Sequence, residues 1–188
     1  MSQSMSNRKK IAVLFSGTGS NLKYILDHLH AKEVEVVVAL TNKPEAGGIA
    51  FAKEYNIPLE IIDSSEFKKR EAFDSEVVSA LEYYKPDLTV LAGFMRILTP
   101  VFTDKIKAIN LHPSLLPLHK GIQAIERSYE DENETGGVSV HWVSAELDGG
   151  NVILQKETLK ADLSFEEYAT KIRSIEKEAL VDAIREVL

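Results

Sequence analysis

Short apolar runs alternate along the chain with segments of helical spacing, and this alternation constrains the fold more than any other feature. "KIAVLF" at residues 10–15 is a β-rich run that ends in the turn-forming "SGTGS". Apolar residues then recur at helical spacing over residues 22–29, and the largely apolar run Val34–Leu40 is typical of a strand covered on both faces. The pattern predicts an α/β fold: a Rossmann-like open, mainly parallel twisted sheet with helices on both faces.

The same alternation continues to the end of the chain and adds an antiparallel strand pair near the C-terminus. A capping-box pattern, Ser164-x-x-Glu167, marks the start of the last helix. The further predicted elements are a strand at Leu59–Ile62, a helix from near Ser65 to Pro86, a strand at Asp87–Gly93, a strand in "KAINLH", and the pair Gly137–Val143 and Asn151–Leu159. Ligands of such folds bind beyond the C-terminal strand ends.

Length and composition narrow the class of protein. The 188 residues suit a single domain over residues 1–188, with residues 1–9 as a flexible N-terminal extension. A net charge of −7 argues against nucleic-acid and anionic-membrane partners, which need a basic surface. The absence of cysteine excludes disulfides and thiolate metal sites, and no signal peptide or spanning run is visible. We therefore expect a cytoplasmic protein, with the oligomeric state open between monomer and homodimer.

The glycine-rich stretch "FSGTGSNL" joins the first strand to the first helix, where an anion meets a helix N-terminus. Gly17 and Gly19 allow a tight turn and close backbone approach, and Ser20 or Asn21 adds side-chain donors. The stretch is not a dinucleotide fingerprint, because the third glycine is replaced by Leu22. Two interpretations stay open on the loop alone: a mononucleotide phosphate site, or a tight turn capped by Ser20.

A polar constellation forms the second candidate site. Alternation along "KAINLH" places Asn110 and His112 on one face at the end of a strand, where Pro113 stops the ladder. Asp148 lies in "SAELDGGN", a connection longer than most hairpin loops. Two glycines follow Asp148 and allow an unusual backbone path. His141 lies in mid-strand and is expected to be structural.

Together these groups indicate a chemistry. An amide donor and a protonated imidazole stabilise an oxyanion, and a nearby carboxylate favours the protonated imidazole. Without cysteine or a serine-nucleophile motif, direct attack by the substrate's own nucleophile is the simpler choice. A metal site is disfavoured, because no paired ligand cluster accompanies His112. Taken singly, a strand-end histidine and an Asp-Gly turn are also common structural features.

Four stretches of the sequence carry a resemblance to a known family: "VLFSGTGSNL", "VLAGFMRIL", "INLHPSLLP" and "GVSVHWVSAELDGGNVILQ". In combination they closely resemble the glycinamide ribonucleotide formyltransferases of de novo purine synthesis. The resemblance covers nearly the whole chain. It implies formyl transfer from the cosubstrate 10-formyltetrahydrofolate to the amine of glycinamide ribonucleotide, without a metal. The site residues that it implies are Asn110, His112 and Asp148 for catalysis, Gly19, Ser20, Asn21 and Glu176 for the ribonucleotide, and Arg70, Met95, Arg96, Ile97, Leu98 and Asn110 for folate.

The chain departs from the family pattern after "HPSLLP". His119 stands where an aromatic residue is common, and Gln123 stands where a histidine is common. The sequence also ends within the last predicted helix, without the short tail of many members. Three alternatives remain: a sugar formyltransferase, a formyl-folate hydrolase, or a non-catalytic nucleotide-binding module. A methionyl-tRNA formyltransferase would need a second domain and a basic surface, and a hydrolase usually carries an N-terminal regulatory domain.

Overall fold

The computed structural model describes residues 7–188, and it confirms the α/β fold class. Seven strands hydrogen-bond in the order β3-β2-β1-β4-β5-β6-β7. The sheet is mostly parallel, with an antiparallel β5-β6-β7 portion and helices around it. The strands are β1 (Lys9–Phe15), β2 (Val34–Thr41), β3 (Leu59–Ile61), β4 (Leu88–Leu91), β5 (Ala108–His112), β6 (Thr135–Trp142) and β7 (Val152–Leu159).

The helices lie in the connections between strands and at the C-terminal end of the described chain. They are α1 (Ser20–His28), α2 (Ile49–Glu54), α3 (Arg70–Tyr84), α4 (Pro100–Thr103), α5 (Ala124–Glu130) and α6 (Phe165–Val187), with a short 3₁₀ helix at Ser64–Glu66. Among residues 7–188, no helix has the length and apolar character needed to cross a membrane. The predicted N-terminal extension lies mostly outside the described residues, and its last residue, Lys9, begins β1.

The described chain divides into two compact units, residues 7–109 and residues 110–188. In the first unit, β1 pairs in parallel with β2 on one side and with β4 on the other, and β2 pairs in parallel with β3. Residues Ile11–Phe15 are fully buried, because β1 is a central strand. Leu22, Ile25 and Leu26 bury the apolar stripe of α1, as the helical spacing predicts.

In the second unit, β6 and β7 form the predicted antiparallel pair. Helix α6 packs against both strands and buries an apolar face that includes Tyr168, Ile172 and Ile184. The helix begins with the predicted capping box, in which the Ser164 and Glu167 side chains each bond the other residue's backbone N–H.

Helix α3 begins later than the sequence predicts. The predicted start near Ser65 falls in the 3₁₀ helix, where the Asp63 carboxylate accepts bonds from the N–H and the hydroxyl of Ser65. This local cap closes a separate turn, and Phe67 then returns to an extended conformation before Arg70 opens α3. An Asp-Ser-Ser stretch therefore caps a 3₁₀ turn rather than the long helix.

Candidate active site

Asn110 and His112 lie on one face at the C-terminal end of β5, as strand alternation predicts. The turn that follows is held by the buried hydroxyl of Ser139 on β6. Ser139 Oγ donates to the Ser114 carbonyl oxygen at 2.7 Å and accepts the Leu116 N–H at 2.9 Å. These bonds fix the backbone that leaves β5, and so they orient the end of the strand that carries His112.

The His112 ring is buried between two acceptors. Its Nδ1 lies 3.4 Å from Asp148 Oδ2, and its Nε2 donates to the His119 carbonyl oxygen at 2.7 Å. A carbonyl oxygen only accepts, so Nε2 carries a proton. A neutral ring would then present a lone pair at Nδ1 to a carboxylate, whereas the doubly protonated ring satisfies both neighbours. The geometry therefore suits the imidazolium that the sequence predicts.

Asp148 reaches this position through an unusual backbone conformation. The sequence predicts such a path from the two glycines that follow Asp148. In the structure Asp148 itself has a φ of 51°, in the left-handed region that aspartate tolerates. Gly150 is needed for space instead, because a Cβ there would lie 1.7 Å from the Trp142 carbonyl oxygen. The loop thus brings the carboxylate inward by strain at Asp148 and close packing at Gly150.

The Asp148 carboxylate has several partners within residues 110–188. Its Oδ2 accepts the Gly121 N–H at 2.9 Å, and its Oδ1 lies 3.6 Å from His141 Nε2. Burial opposes ionisation of the carboxyl group, but the contacts with His141 and the Gly121 N–H outweigh burial. With the added attraction of His112, they hold the pKa of Asp148 below its ordinary value, so the carboxylate is charged at neutral pH.

His141 belongs to this cluster, and the prediction that it is only structural misses this position. Its Nδ1 donates to the Trp142 carbonyl oxygen at 2.9 Å, and its Nε2 lies 3.4 Å from Asn110 Nδ2. His141 Nε2 thus lies within 3.6 Å of both the Asn110 amide nitrogen and the Asp148 carboxylate, so the ring joins these two groups.

The segment 119–122 lies over the His112–Asp148 pair. Side chains that do not belong to this pair hold the segment in place. The His119 side chain contacts Asp131 with Nε2 and Oδ2 2.7 Å apart, and Lys160 Nζ lies 2.7 Å from Asp131 Oδ1. Arg127 donates to the carbonyl oxygens of Lys120, at 2.5 Å, and of residue 122, at 2.7 Å. His119, the departure from the family pattern, is therefore an anchor of this segment.

In the first unit, the glycine-rich loop leads into the N-terminus of α1. Gly19 has a φ of 76°, and a Cβ there would lie 2.4 Å from the Gly48 Cα, so both conformation and space require glycine. No acidic residue occupies the first turn of α1. Asn21 Oδ1 is buried without a hydrogen-bond partner, and Ser20 is exposed. The free helix amides and the absence of acidic side chains suit an anion.

The predicted folate run lies in an irregular segment between β4 and α4. Met95 and Ile97 are 73% and 50% exposed, although large apolar side chains are usually covered. The Arg96 guanidinium carbon lies 4.7 Å from the centre of the Phe73 ring, and its Nε has no hydrogen-bond partner. Leu98 is half-buried, and Arg70 is exposed at the start of α3. These positions leave apolar and cationic groups accessible to a ligand.

Two other predicted positions lie in the second unit. Glu176 is half-buried on α6. Gln123, which replaces the common histidine, is exposed directly before α5 and has a φ of 55°. Within residues 7–188, no group of three or more His, Cys, Asp or Glu side chains has the geometry of a metal site. The metal-free reaction implied by the resemblance stays an expectation.

A family model for formyl transferase matches residues 9–184 of this chain. The chain belongs to the formyl transferase family. This formyl transferase is 54% identical to the phosphoribosylglycinamide formyltransferase of Campylobacter jejuni subsp. jejuni NCTC 11168, whose crystal structure superposes with a TM-score of 0.93 over 95% of this chain and 97% of that one.

Two curated relatives of this formyl transferase are also named phosphoribosylglycinamide formyltransferase. The phosphoribosylglycinamide formyltransferase of Escherichia coli (strain K12) is 42% identical over 149 residues, which are 77% of this chain and 70% of the relative. The Haemophilus influenzae protein of that name is 38% identical over 173 residues, or 89% and 82%. Together with the family match, these relatives show that the chain is a formyl-transferring enzyme.

Two residues of the candidate site escape sequence reasoning. His141 looks like a core residue because alternation along β6 does not show which side chains face it from elsewhere in the fold. The signal that could have found it is the spacing Ser139-x-His141, which puts two polar side chains on one face of an otherwise apolar strand. Asp131 follows α5 in an acidic stretch, and no local pattern distinguishes it from its neighbours.

Proposed function

We propose that the chain transfers the formyl group of 10-formyltetrahydrofolate to the primary amine of glycinamide ribonucleotide in purine biosynthesis. The names of the relatives support this acceptor, and the family supports a formyl-folate donor. The observation that carries the chemistry is the buried His112 ring held between the Asp148 carboxylate and a carbonyl oxygen. A cytoplasmic location and small-molecule partners belong to the same proposal.

In the proposed mechanism the amine attacks the formyl carbon directly. The new C–N bond forms as the C=O electron pair moves to oxygen, which gives a tetrahedral oxyanion. The Asn110 amide donates an N–H to that oxygen, and the His112 imidazolium adds positive charge. When the oxyanion collapses, the bond to N10 breaks, and N10 gains a proton while the attacking nitrogen loses one. Asp148 supports the charged ring throughout.

His112 needs one ring N–H for this role, and both are engaged in the present conformation. Nε2 donates to the uncharged carbonyl oxygen of His119, whereas Nδ1 contacts the negatively charged Asp148 carboxylate. Because charge-assisted contacts are the stronger ones, Nε2 is the nitrogen that exchanges its partner for the substrate.

Ligand-contacting roles complete the proposal. The loop residues Gly19, Ser20 and Asn21 would hold the ribonucleotide phosphate through backbone amides and side-chain donors. Glu176 would accept hydrogen bonds from the ribose hydroxyls. Exposed apolar side chains of the run Met95–Leu98, with Arg70 and the Arg96 guanidinium, would contact the pterin and the acidic tail of folate.

Formyl transfer followed by folate absorbance tests this function. We expect turnover that requires glycinamide ribonucleotide, and a loss of about 10²–10³ in rate or more in His112→Ala, as for removal of an oxyanion-stabilising group. His28→Ala is the matched control, because His28 is an exposed helix residue. Turnover without the acceptor would indicate a hydrolase, and nucleotide binding without turnover would indicate a binding module. Near-normal turnover in His112→Ala would overturn the mechanism.

A further inference from the structure

A buried chain of polar side chains links three segments of the first unit. Ser16 and Asn42 are only 3% and 2% exposed. Ser16 Oγ donates to Asn42 Oδ1 at 2.5 Å and accepts the Met95 N–H at 2.7 Å. Asn42 Nδ2 donates to Ser64 Oγ at 3.2 Å. The chain therefore runs from the segment after β4, through the end of β1 and the end of β2, to the 3₁₀ helix.

Each end of this chain meets a segment with a proposed ligand role. Ser16 directly precedes the glycine-rich loop at residues 17–21, and Met95 belongs to the predicted folate run. Ser64 lies shortly before Arg70, another predicted folate residue. The Ser16 hydroxyl thus links the proposed phosphate loop to the proposed folate run.

Hydrogen bonds at both ends fix the folate run, and those made by Ser16 matter for its shape. Residues 94–99 form no helix or strand. Besides accepting the Met95 N–H, Ser16 donates its own N–H to the Gly93 carbonyl oxygen at 2.9 Å. At the far end, the Asp74 carboxylate accepts the N–H and the hydroxyl of Thr99, both at 2.7 Å. The run is held at its two ends, and its Ser16 end is bonded to the residue that precedes the phosphate loop.

The phosphate loop is fixed on its other side by close backbone packing. The Gly17 carbonyl oxygen accepts the Gly48 N–H at 3.1 Å, and Gly19 packs directly on Gly48. A bound phosphate that orders residues 17–21 therefore orders Ser16 as well, because the loop has little freedom elsewhere. The Ser16 hydroxyl then presents a fixed acceptor to the Met95 N–H.

We propose that the Ser16–Asn42–Ser64 chain couples the two ligands, so that a ribonucleotide at residues 17–21 raises the affinity of the Met95–Leu98 run for folate. Thermodynamic linkage makes the effect mutual: folate raises the affinity for the ribonucleotide by the same factor. Ser16 and Asn42 act here as positioning residues that touch neither ligand. The inference rests on the proposed function, because it takes the two ligands from there.

Calorimetric titration tests the coupling with the full chain. Glycinamide ribonucleotide is titrated with and without saturating tetrahydrofolate, and tetrahydrofolate with and without the ribonucleotide; neither pair can react. We expect each ligand to raise the affinity for the other by about fivefold or more, within the usual range of coupling between sites. Equal factors from the two titration orders verify the linkage.

Variants separate coupling from a structural role. In Ser16→Ala the coupling factor falls to near 1, because the Met95 N–H and Asn42 lose their shared partner. Ser16→Thr keeps the hydroxyl and restores the coupling, and Ser79→Ala, at an exposed serine of α3, keeps the wild-type factor. Ser64→Ala, at the half-buried end of the chain, lowers the factor at least twofold and provides a second variant if Ser16→Ala does not fold.

The outcomes distinguish this inference from the proposed function. Wild-type protein that binds both ligands with a coupling factor of 1 overturns the coupling alone. A wild-type factor in folded Ser16→Ala or Ser64→Ala also overturns the coupling. If wild-type protein binds neither ligand, the proposed function fails, and the inference fails with it.

Discussion

The His112 ring and the Asp148 carboxylate face each other within residues 110–188, with Nδ1 and Oδ2 3.4 Å apart. Their side chains are 8% and 6% exposed, so water screens the contact little. Asp148 makes the contact from a left-handed backbone conformation, and Gly121 donates to the same carboxylate oxygen. A substitution that removes the charge of Asp148 but keeps the shape of its side chain therefore tests the contribution of the charge alone.

Asp148→Asn should abolish most of the activity while preserving the fold. Asparagine has the same shape and tolerates the left-handed region, so the loop keeps its path. It has no charge to favour the His112 imidazolium, and we expect the rate to fall by about 10²–10⁴, the usual contribution of a positioned acid–base group. The measurement is steady-state formyl transfer, with circular dichroism to verify folding.

Asp162→Asn is the matched control for this substitution. Asp162 also has a positive φ, 65°, but it is exposed. The control makes the same chemical change in the same backbone region, and we expect its rate to stay within about twofold of wild type, as for most surface substitutions. An Asp148→Asn variant as active as Asp162→Asn would contradict the proposed role of the carboxylate.

His141→Gln should lower the maximal rate more than it changes the KM for either substrate. The ring contacts Asn110 and Asp148, two of the proposed catalytic residues, so its loss misplaces catalytic groups. We expect a fall of about 10-fold to 100-fold, because a misplacement of ~1 Å can cost about 10² in rate. His28→Gln is the control. A change confined to KM would place His141 in substrate binding instead.

Gly150→Ala should destabilise the protein. The new Cβ would lie 1.7 Å from the Trp142 carbonyl oxygen, so the loop that carries Asp148 must shift. We expect the free energy of unfolding to fall by about 1–3 kcal/mol, as for overpacking elsewhere, and activity to fall with it. Urea denaturation measures the change. Gly17→Ala is the control, because a Cβ at Gly17 meets no atom within 4 Å; equal stability of the two variants would contradict the packing argument.

Local rules predict the parts of the site that depend on one element. Strand alternation puts Asn110 and His112 on one face, and the glycine-rich turn before α1 predicts an anion site at that helix end. The start of α3 at Arg70 was harder to predict, because Asp63 caps a 3₁₀ turn that mimics a helix start.

The rest depends on contacts between residues distant in sequence, which local rules do not describe. His141 is an ordinary alternating strand residue until the fold places Asn110 and Asp148 beside it. The sequence predicts an unusual path at Asp148 from its following glycines, yet the close approach that requires Gly150 involves Trp142 on β6. The role of His119 depends likewise on Asp131, which lies at the other end of α5.

The Asp131→Asn variant should lose less free energy of unfolding in acid than the wild-type protein. Burial opposes ionisation of Asp131, but bonds with Lys160 and His119 outweigh it and hold the pKa of this carboxyl well below its ordinary value. On acidification the unfolded chain therefore takes up the proton first, so stabilisation that is present above about pH 4 is lost as the pH falls. Urea denaturation between about pH 3 and 7 should show a shallower fall in the free energy of unfolding below pH 4 in Asp131→Asn than in wild type.

Asp104→Asn, at an exposed carboxylate, should keep the wild-type slope. Parallel curves for Asp131→Asn and wild type would show that the anchor of His119 does not contribute to acid stability.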